Sequence, residues 1–315
     1  MKNKKFIVSF VLMLSVMMVL AACGGAKQQL SIVTGGTGGT YYPLGGSMAN
    51  IISENTDAEA TAQASGASAE NMQTLSAGDA DIAFTQTDIA SYATEGKLMF
   101  DGKPITNIKA IGTLYPETIQ IVTLKGTGIQ KVEDLKGKTV SIGAPGSGTA
   151  ANAEQILEVH GMTMKDVEVR NLSFDESTEG IQDGSIDAAF ITAGAPTGAV
   201  EGLSATQEVN IVPVADDKIQ ALIEKYPYYV QDTVPAGTYK LPAEVKTVAV
   251  QAMLAVTDEL DEELVYNITK SIFENTDKIT HAKGKLIKAE NAVEGAGIPF
   301  HPGAEKYFKE QGVLK

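Results

Sequence analysis

The stretch Thr34-Gly35-Gly36-Thr37-Gly38-Gly39-Thr40-Tyr41-Tyr42-Pro43 concentrates the residue types that could do chemistry in this chain. It follows an apolar run, Leu30-Ser31-Ile32-Val33, that reads as a strand, and precedes Leu44 to Ile52, which reads as a helix. Pro43 suits the first helical turn, where its missing N–H is no loss. Four glycines let the backbone approach another molecule closely. Three threonines add hydroxyl donors, and the free N–H groups at a helix start favour an anion. Two tyrosines offer a wall and a phenol. The stretch also reads as a flexible loop without a ligand. It is not a Walker A loop, which ends in Gly-Lys-Ser/Thr. It opens a G-x-G-x-x-G fingerprint at Gly36, but Tyr41 holds the last glycine position. A small polar anion therefore suits it better than a nucleotide.

Much familiar chemistry is missing. His160, His281 and His301 are the only histidines, and none has a second histidine or a cysteine at metal-ligand spacing. Ser147 invites comparison with a nucleophile elbow, but Pro145 stands where that motif needs glycine. A serine hydrolase would have to recruit one of these three histidines as its base. An enzyme is therefore not expected, and no cofactor or metal is implied. Arg170 is the only arginine. It follows the strand-like Val167-Glu168-Val169, where a surface or inter-strand ion pair is expected rather than a ligand clamp. An anion must then be held chiefly by hydroxyls, amides and backbone N–H groups, with or without a lysine.

The elements that would position such a site alternate along the chain. Glu59 to Ala64 and Asp81 to Phe84 read as strands. Glu70 to Ala77 reads as a helix ending at Gly78. Thr85 and Asp88 are spaced like a capping box for a further helix. Repeated strand–turn–helix units argue for a parallel sheet with helices on both faces. Polar turns at the carboxyl ends of such strands are where ligands bind. Ile108 to Tyr115 and Thr118 to Leu124 are two β-rich runs around Pro116-Glu117, and Val245 to Val256 is another; each suits a strand crossing between lobes. Between them lies a second α/β set. It comprises strand Lys138 to Gly143, turn Ala144 to Thr149, helix Ala150 to His160, and strands Val167 to Arg170 and Ile186 to Ile191. Helices follow from Asp261. The fold class expected is α/β, with two lobes joined by crossing strands and a ligand cleft between them. One continuous doubly wound sheet is the alternative. The lobes would be 30–117 plus 252–315, and 118–251.

The chain begins with Lys2, Lys4 and Lys5 before an apolar run from Phe6 to Leu20, the make-up of a signal peptide. Leu20-Ala21-Ala22-Cys23 looks like a bacterial lipobox, with Cys23 lipidated, residues 1–22 removed and 23–29 as tether. Cys23 is the only cysteine, so no intrachain disulfide is possible. Loss of three lysines and no acids takes the formal charge from −14 to −17. Such a charge opposes nucleic-acid binding. The expected location is the extracytoplasmic face of the cell membrane, lipid-anchored.

Taken together, these residues resemble the TAXI family of solute-binding proteins of tripartite ATP-independent periplasmic (TRAP) transporters. The resemblance rests on Thr34 to Tyr42, Ser68-Ala69-Glu70-Asn71, Thr85-Gln86-Thr87-Asp88 and Leu114-Tyr115-Pro116-Glu117. It continues in Gly143 to Thr149, Val234 to Tyr239 and His301-Pro302-Gly303-Ala304. It implies a type II periplasmic-binding fold, capture of glutamate, glutamine or a related dicarboxylate, and delivery to an ion-gradient-driven permease. The sister family of TRAP binding proteins relies on a ligand arginine, for which this sequence gives no equivalent. On this reading Thr34, Gly36, Thr37, Thr40 and Tyr41 form the first-lobe side of the site. Ser68 and Gln86 follow the next two strands, and Tyr115 and Glu117 lie at the crossing. Ser147, Gly148 and Thr149 start a second-lobe helix, and Thr192 and Gly194 follow its later strand. Glu117 would hold the amino group of a zwitterion or serve as a hinge residue. A monomer is expected. The alternatives are a binding lipoprotein of an ABC importer, a sensory lipoprotein and, more distantly, a hydrolase.

Overall fold

The computed structural model describes residues 27–315. The leader, the lipobox and Cys23 lie outside the described residues. Ten strands form one sheet in the order β2-β1-β3-β10-β4-β7-β5-β6, with β8 pairing β4 and β9 pairing β10. β1 (Gln28–Val33), β2 (Ala58–Gln63) and β3 (Ile82–Gln86) are mutually parallel, as are β5 (Thr139–Ser141), β6 (Glu168–Arg170) and β7 (Ala188–Ala193). β8 is Val209–Val212 and β9 is Val230–Val234.

Two long antiparallel strands join these sets. β4 (Ile108–Leu124) is a single 17-residue strand, not two runs broken at Pro116. β10 (Val245–Thr257) lies beside it. Pro116 lacks the donor a sheet interior needs. It faces Gln251, and the pairing slips between Gln251 and Met253, so the missing N–H falls at an irregularity of the ladder.

Along both strands the packing changes partners. Ile111, Leu114 and Tyr115 of β4 and Leu254 and Val256 of β10 join one core with Leu44, Met48 and Phe84. Ile119 and Ile121, with Val248 and Val250, join another with Val140, Ile156, Phe190 and Leu222. The handover falls between Tyr115 and Ile119 on β4.

The helices are α1 (Tyr41–Asn55), α2 (Ser68–Ala77), α3 (Thr87–Glu95), α4 (Thr149–Val159), α5 (Phe174–Asp183), α6 (Gly198–Thr206), α7 (Asp216–Lys225), α8 (Glu262–Phe273) and α9 (Pro302–Glu310). α8 shows how the tail returns to the first core. The Asp261 side chain accepts from Leu264 N–H at 3.0 Å and caps the helix. Val265, Ile268 and Ile272 then recur at helical spacing and are buried.

Three expectations are corrected. α1 starts at Tyr41 rather than Leu44, because Leu44 N–H already bonds back to the Thr40 carbonyl at 3.3 Å. Thr85 and Asp88 make no capping box. Thr85 is paired in β3, opposite Met253, and its hydroxyl points to the Ser68 and Gln86 carbonyls. β7 runs on to Ala193, because antiparallel pairing with β4 sets Thr192 opposite Ile119 and Ala193 opposite Thr118. Thr192 is therefore inside the strand, not after it.

Candidate functional site

The glycine-rich loop after β1 is fastened from beneath. Asn71 of α2 is fully buried, and its Nδ2 donates to the Thr34 carbonyl at 2.6 Å and the Phe84 carbonyl at 2.8 Å. Its Oδ1 accepts from Ser65 Oγ at 2.6 Å. One side chain thus ties the ends of β1 and β3 to the start of α2. Thr34 is part of the same fastening. It is buried, and its hydroxyl donates to the Gln63 carbonyl at 2.6 Å.

Above this floor the chain encloses a cavity of about 60 Å³. A single water needs roughly 10–15 Å³, so the space has room for several waters or part of a small molecule. Of the expected residues, Gly36, Thr40, Tyr41, Ser68, Gln86, Glu117, Ser147, Gly148, Thr149 and Thr192 line it. Four do not. Thr34 is turned to Gln63 as described. Thr37 is exposed and donates to Asp175 Oδ2 at 3.1 Å. Tyr115 is buried in the first core with its hydroxyl unpartnered. Gly194 is covered by the aliphatic stem of Lys283, and its carbonyl accepts from Thr40 Oγ1 at 3.3 Å and Thr197 Oγ1 at 3.1 Å. Ser65, Ala67, Ser173 and Phe174 also line the cavity and were not expected. The sequence does carry one signal there. Ser173 and Glu176 form a reciprocal capping box at the start of α5, which sets Phe174 at the helix's first position.

The cavity lining carries two kinds of polar group. The first N–H groups of α1 and α4 have no intrahelical partners, and neither helix has a side-chain cap. Both starts border the cavity through Thr40, Tyr41, Gly148 and Thr149. Ser147 is buried there and its Oγ has no partner. These are donors awaiting an acceptor. In the same lining, Tyr41 donates its phenol to Glu117 Oε2 at 2.7 Å. Burial pushes the Glu117 carboxyl well above the carboxylate range, against the Tyr41 bond, and Lys283 also pulls it down. Burial, then the neighbouring Glu117, holds the Tyr41 phenol well above its usual range.

A buried polar chain leads away from the cavity. Ser68 Oγ donates to Gln86 Oε1 at 3.2 Å, and Gln86 Nε2 donates to Asn152 Oδ1 at 2.8 Å. Asn152 Oδ1 also accepts from Thr192 at 3.1 Å. Its Nδ2 donates to Asp88 Oδ2 at 3.0 Å and to Tyr229 Oη at 2.8 Å. Burial raises the Asp88 carboxyl to about 7.

The elements around the cavity meet directly. Ala69 and Glu70 N–H, at the start of α2, both donate to the Gly146 carbonyl, at 2.9 and 3.1 Å. Ala199 N–H donates to the Gly38 carbonyl at 3.0 Å. Several glycines exist for these contacts. A Cβ on Gly148 would lie 2.6 Å from Gln86 Cδ and 2.8 Å from Ile89 Cγ1. Gly38 lies equally close to Asp175.

The three histidines make local backbone contacts. His160 Nδ1 is 2.8 Å from the Ile156 carbonyl, and His281 and His301 each accept a nearby backbone N–H. Among the described residues no group of three or more His, Cys, Asp or Glu converges to hold a metal ion, and no helix is long and apolar enough to cross a membrane. Arg170 is exposed and pairs with Glu168 at 2.5 Å.

Solved structures share this architecture. A protein of Bordetella bronchiseptica RB50 is 15% identical, with a TM-score of 0.54 over 92% of this chain and 83% of that chain. The alkanesulfonate-binding protein SsuA of Xanthomonas axonopodis pv. citri, bound to MOPS, is 14% identical, with a TM-score of 0.53 over 91% and 85%. A Listeria monocytogenes protein described as a candidate L-cystine ABC transporter is 15% identical, with a TM-score of 0.50 over 85% and 99%. At these identities the likeness establishes the fold, that of periplasmic binding proteins. The family is established separately: a family model matches residues 32–312, and the chain belongs to the NMT1-like family.

Proposed function

We propose that this chain is an extracytoplasmic solute-binding protein that closes two lobes over a small organic anion and hands it to a membrane permease. The observation that carries the reading is the mixed lining of the cavity. The starts of α1 and α4 and the unpartnered Ser147 hydroxyl offer donors to a carboxylate or similar anion. The Tyr41–Glu117 pair in the same lining offers acceptor capacity for an ammonium or hydroxyl group. Glutamate, glutamine and related dicarboxylates fit that division, and they are the ligands the TAXI resemblance implies. The lobes are taken as 30–117 plus 252–315, and 118–251, because the two cores exchange β4 and β10 close to those boundaries.

Two delivery routes have support of different kinds. The motifs from Thr34 to Ala304 support a TRAP permease. An ABC importer is supported at least as well, since a solved structure sharing the fold is described as a candidate ABC transporter. A signal peptide and a lipid anchor at Cys23 belong to the proposal on sequence grounds.

Thermal denaturation with L-glutamate, L-glutamine, succinate and MOPS tests the capture step. A ligand at ~100 times its dissociation constant adds about 2.7 kcal/mol, which raises the melting temperature measurably. If none of the four shifts it at millimolar concentration, the anion reading fails. Uptake of the confirmed solute by membrane vesicles then separates the routes, by its need for ATP or for an ion gradient.

A further inference from the structure

Asn152 uses all of its hydrogen-bonding capacity at the contact between the two cores, two bonds across it and two on its own side. From the side of α3 and β3 it meets Asp88 and Gln86. From its own side it meets Thr192 and Tyr229. Gln86 and Thr192 line the cavity, whereas Asn152 and Asp88 do not. Asp88 has no exposed surface, and its Oδ1 has no partner. A carboxylate placed there without a cation carries a large desolvation cost, which protonation removes.

We propose that Asp88 and Asn152 form a latch between the lobes that is made on closure and takes up one proton as it is made. The inference rests on the two-lobe reading above. When the lobes part, Asp88 loses its Asn152 partner and gains water, so it ionises as an ordinary aspartate. When they close, it is sealed between α3 and α4 and holds its proton. Asn152 is a positioning residue in this scheme. It is sealed only when Gln86 and Thr192 stand where the cavity needs them.

The groups facing Asp88 are few. Tyr92 shares its helix. Asn152 donates to it from the other lobe, and an Asp88 charge would raise Tyr92, Tyr229 and, on β4, Glu117. No cation contributes to its environment. The sign follows from which state binds more protons. The closed form keeps the Asp88 proton up to about pH 7, whereas the open form loses it near the ordinary aspartate value of about 3.9. Closure is therefore favoured at low pH, weakens as pH rises between those values, and is constant above them.

Small-angle scattering of the full mature chain without any added solute tests the latch, so a failed ligand assignment leaves it unaffected. Wild type should have a larger radius of gyration at about pH 7.5 than at about pH 5, with the same far-ultraviolet dichroism at both. Asp88→Asn should lose a large part of that shift and stay more compact than wild type at about pH 7.5, while Glu168→Gln, at an exposed carboxyl away from the cavity, should retain it. Asn152→Asp, which sets a second carboxyl against Asp88, should be expanded already at about pH 5. It serves as the second variant if Asp88→Asn does not fold. An unchanged wild-type radius, or an Asp88→Asn shift equal to wild type, overturns the proposal.

Discussion

The Tyr41 hydroxyl donates to Glu117 Oε2 across 2.7 Å, joining the first turn of α1 to the midpoint of β4 at the wall of the cavity. Both groups are buried, and burial favours the neutral form of each. The pair is therefore held uncharged until something cationic enters. A ligand ammonium beside Glu117 would restore the carboxylate and gain a charge-assisted bond.

The consequence is selective. Glu117→Gln should weaken L-glutamate by roughly tenfold to a hundredfold, since a bond to a charged group is worth about 1.5–3 kcal/mol. Glutarate, which lacks the amine, should lose much less. Calorimetric titration of both ligands against both proteins decides it. An equal loss for both would place the amine elsewhere.

Gly148 offers a test of closure that leaves each lobe intact. Its backbone is helical, with φ −69° and ψ −20°, so alanine brings no local strain. The nearest obstruction is Gln86 and Ile89 across the contact. Gly148→Ala should therefore leave the unliganded melting temperature within about 2 °C of wild type. Its affinity should fall by roughly fivefold to a hundredfold, the range expected from about 1–3 kcal/mol of overpacking. Unchanged affinity would mean that the ligand-bound form does not bring these surfaces together.

Asn71 carries no sign of its work in the sequence beyond its place in Ser68-Ala69-Glu70-Asn71. Asn71→Ala would leave the Thr34 and Phe84 carbonyls buried without their donor. A stability loss of about 2–4 kcal/mol is expected, from about 1–3 kcal/mol for each buried group left unpaired and partial relaxation around it. Urea unfolding measures it. A loss below about 0.5 kcal/mol would show that water replaces the amide.

What was legible in the sequence was local. Alternating apolar runs and glycine stops mark β1, β3, α2 and α4 to within a few residues, because period and caps are written in adjacent positions. The glycine loop and the turn before α4 were legible as helix starts for the same reason. Pairings between distant residues were not. Pro116 argued for a break, yet β4 continues because β10 slips beside it. Thr192 read as a turn, yet β4 draws it into β7. Thr37 read as a ligand hydroxyl, yet Asp175, far along the chain, occupies it. Phe174 was passed over because its place in the cavity depends on which helix start faces which loop.

Arg170 and Ser147 divide the question of how an acidic protein with one arginine would hold an anion. Arg170 is exposed and spends its guanidinium on Glu168 and the Val169 carbonyl, away from the cavity. Ser147 is buried at the start of α4 with an unsatisfied hydroxyl facing the cavity. Such a group costs stability until a ligand completes it. Ser147→Ala should therefore leave the free protein as stable as wild type, or slightly more so. Its affinity for an anionic ligand should fall roughly tenfold to a hundredfold, from about 1.5–3 kcal/mol for the lost bond. Arg170→Gln removes an exposed pair worth about 0–1 kcal/mol to stability and should change affinity less than about threefold. Paired calorimetric and urea measurements on both variants test this. Loss of binding in Arg170→Gln with normal binding in Ser147→Ala would move the anion site away from the start of α4.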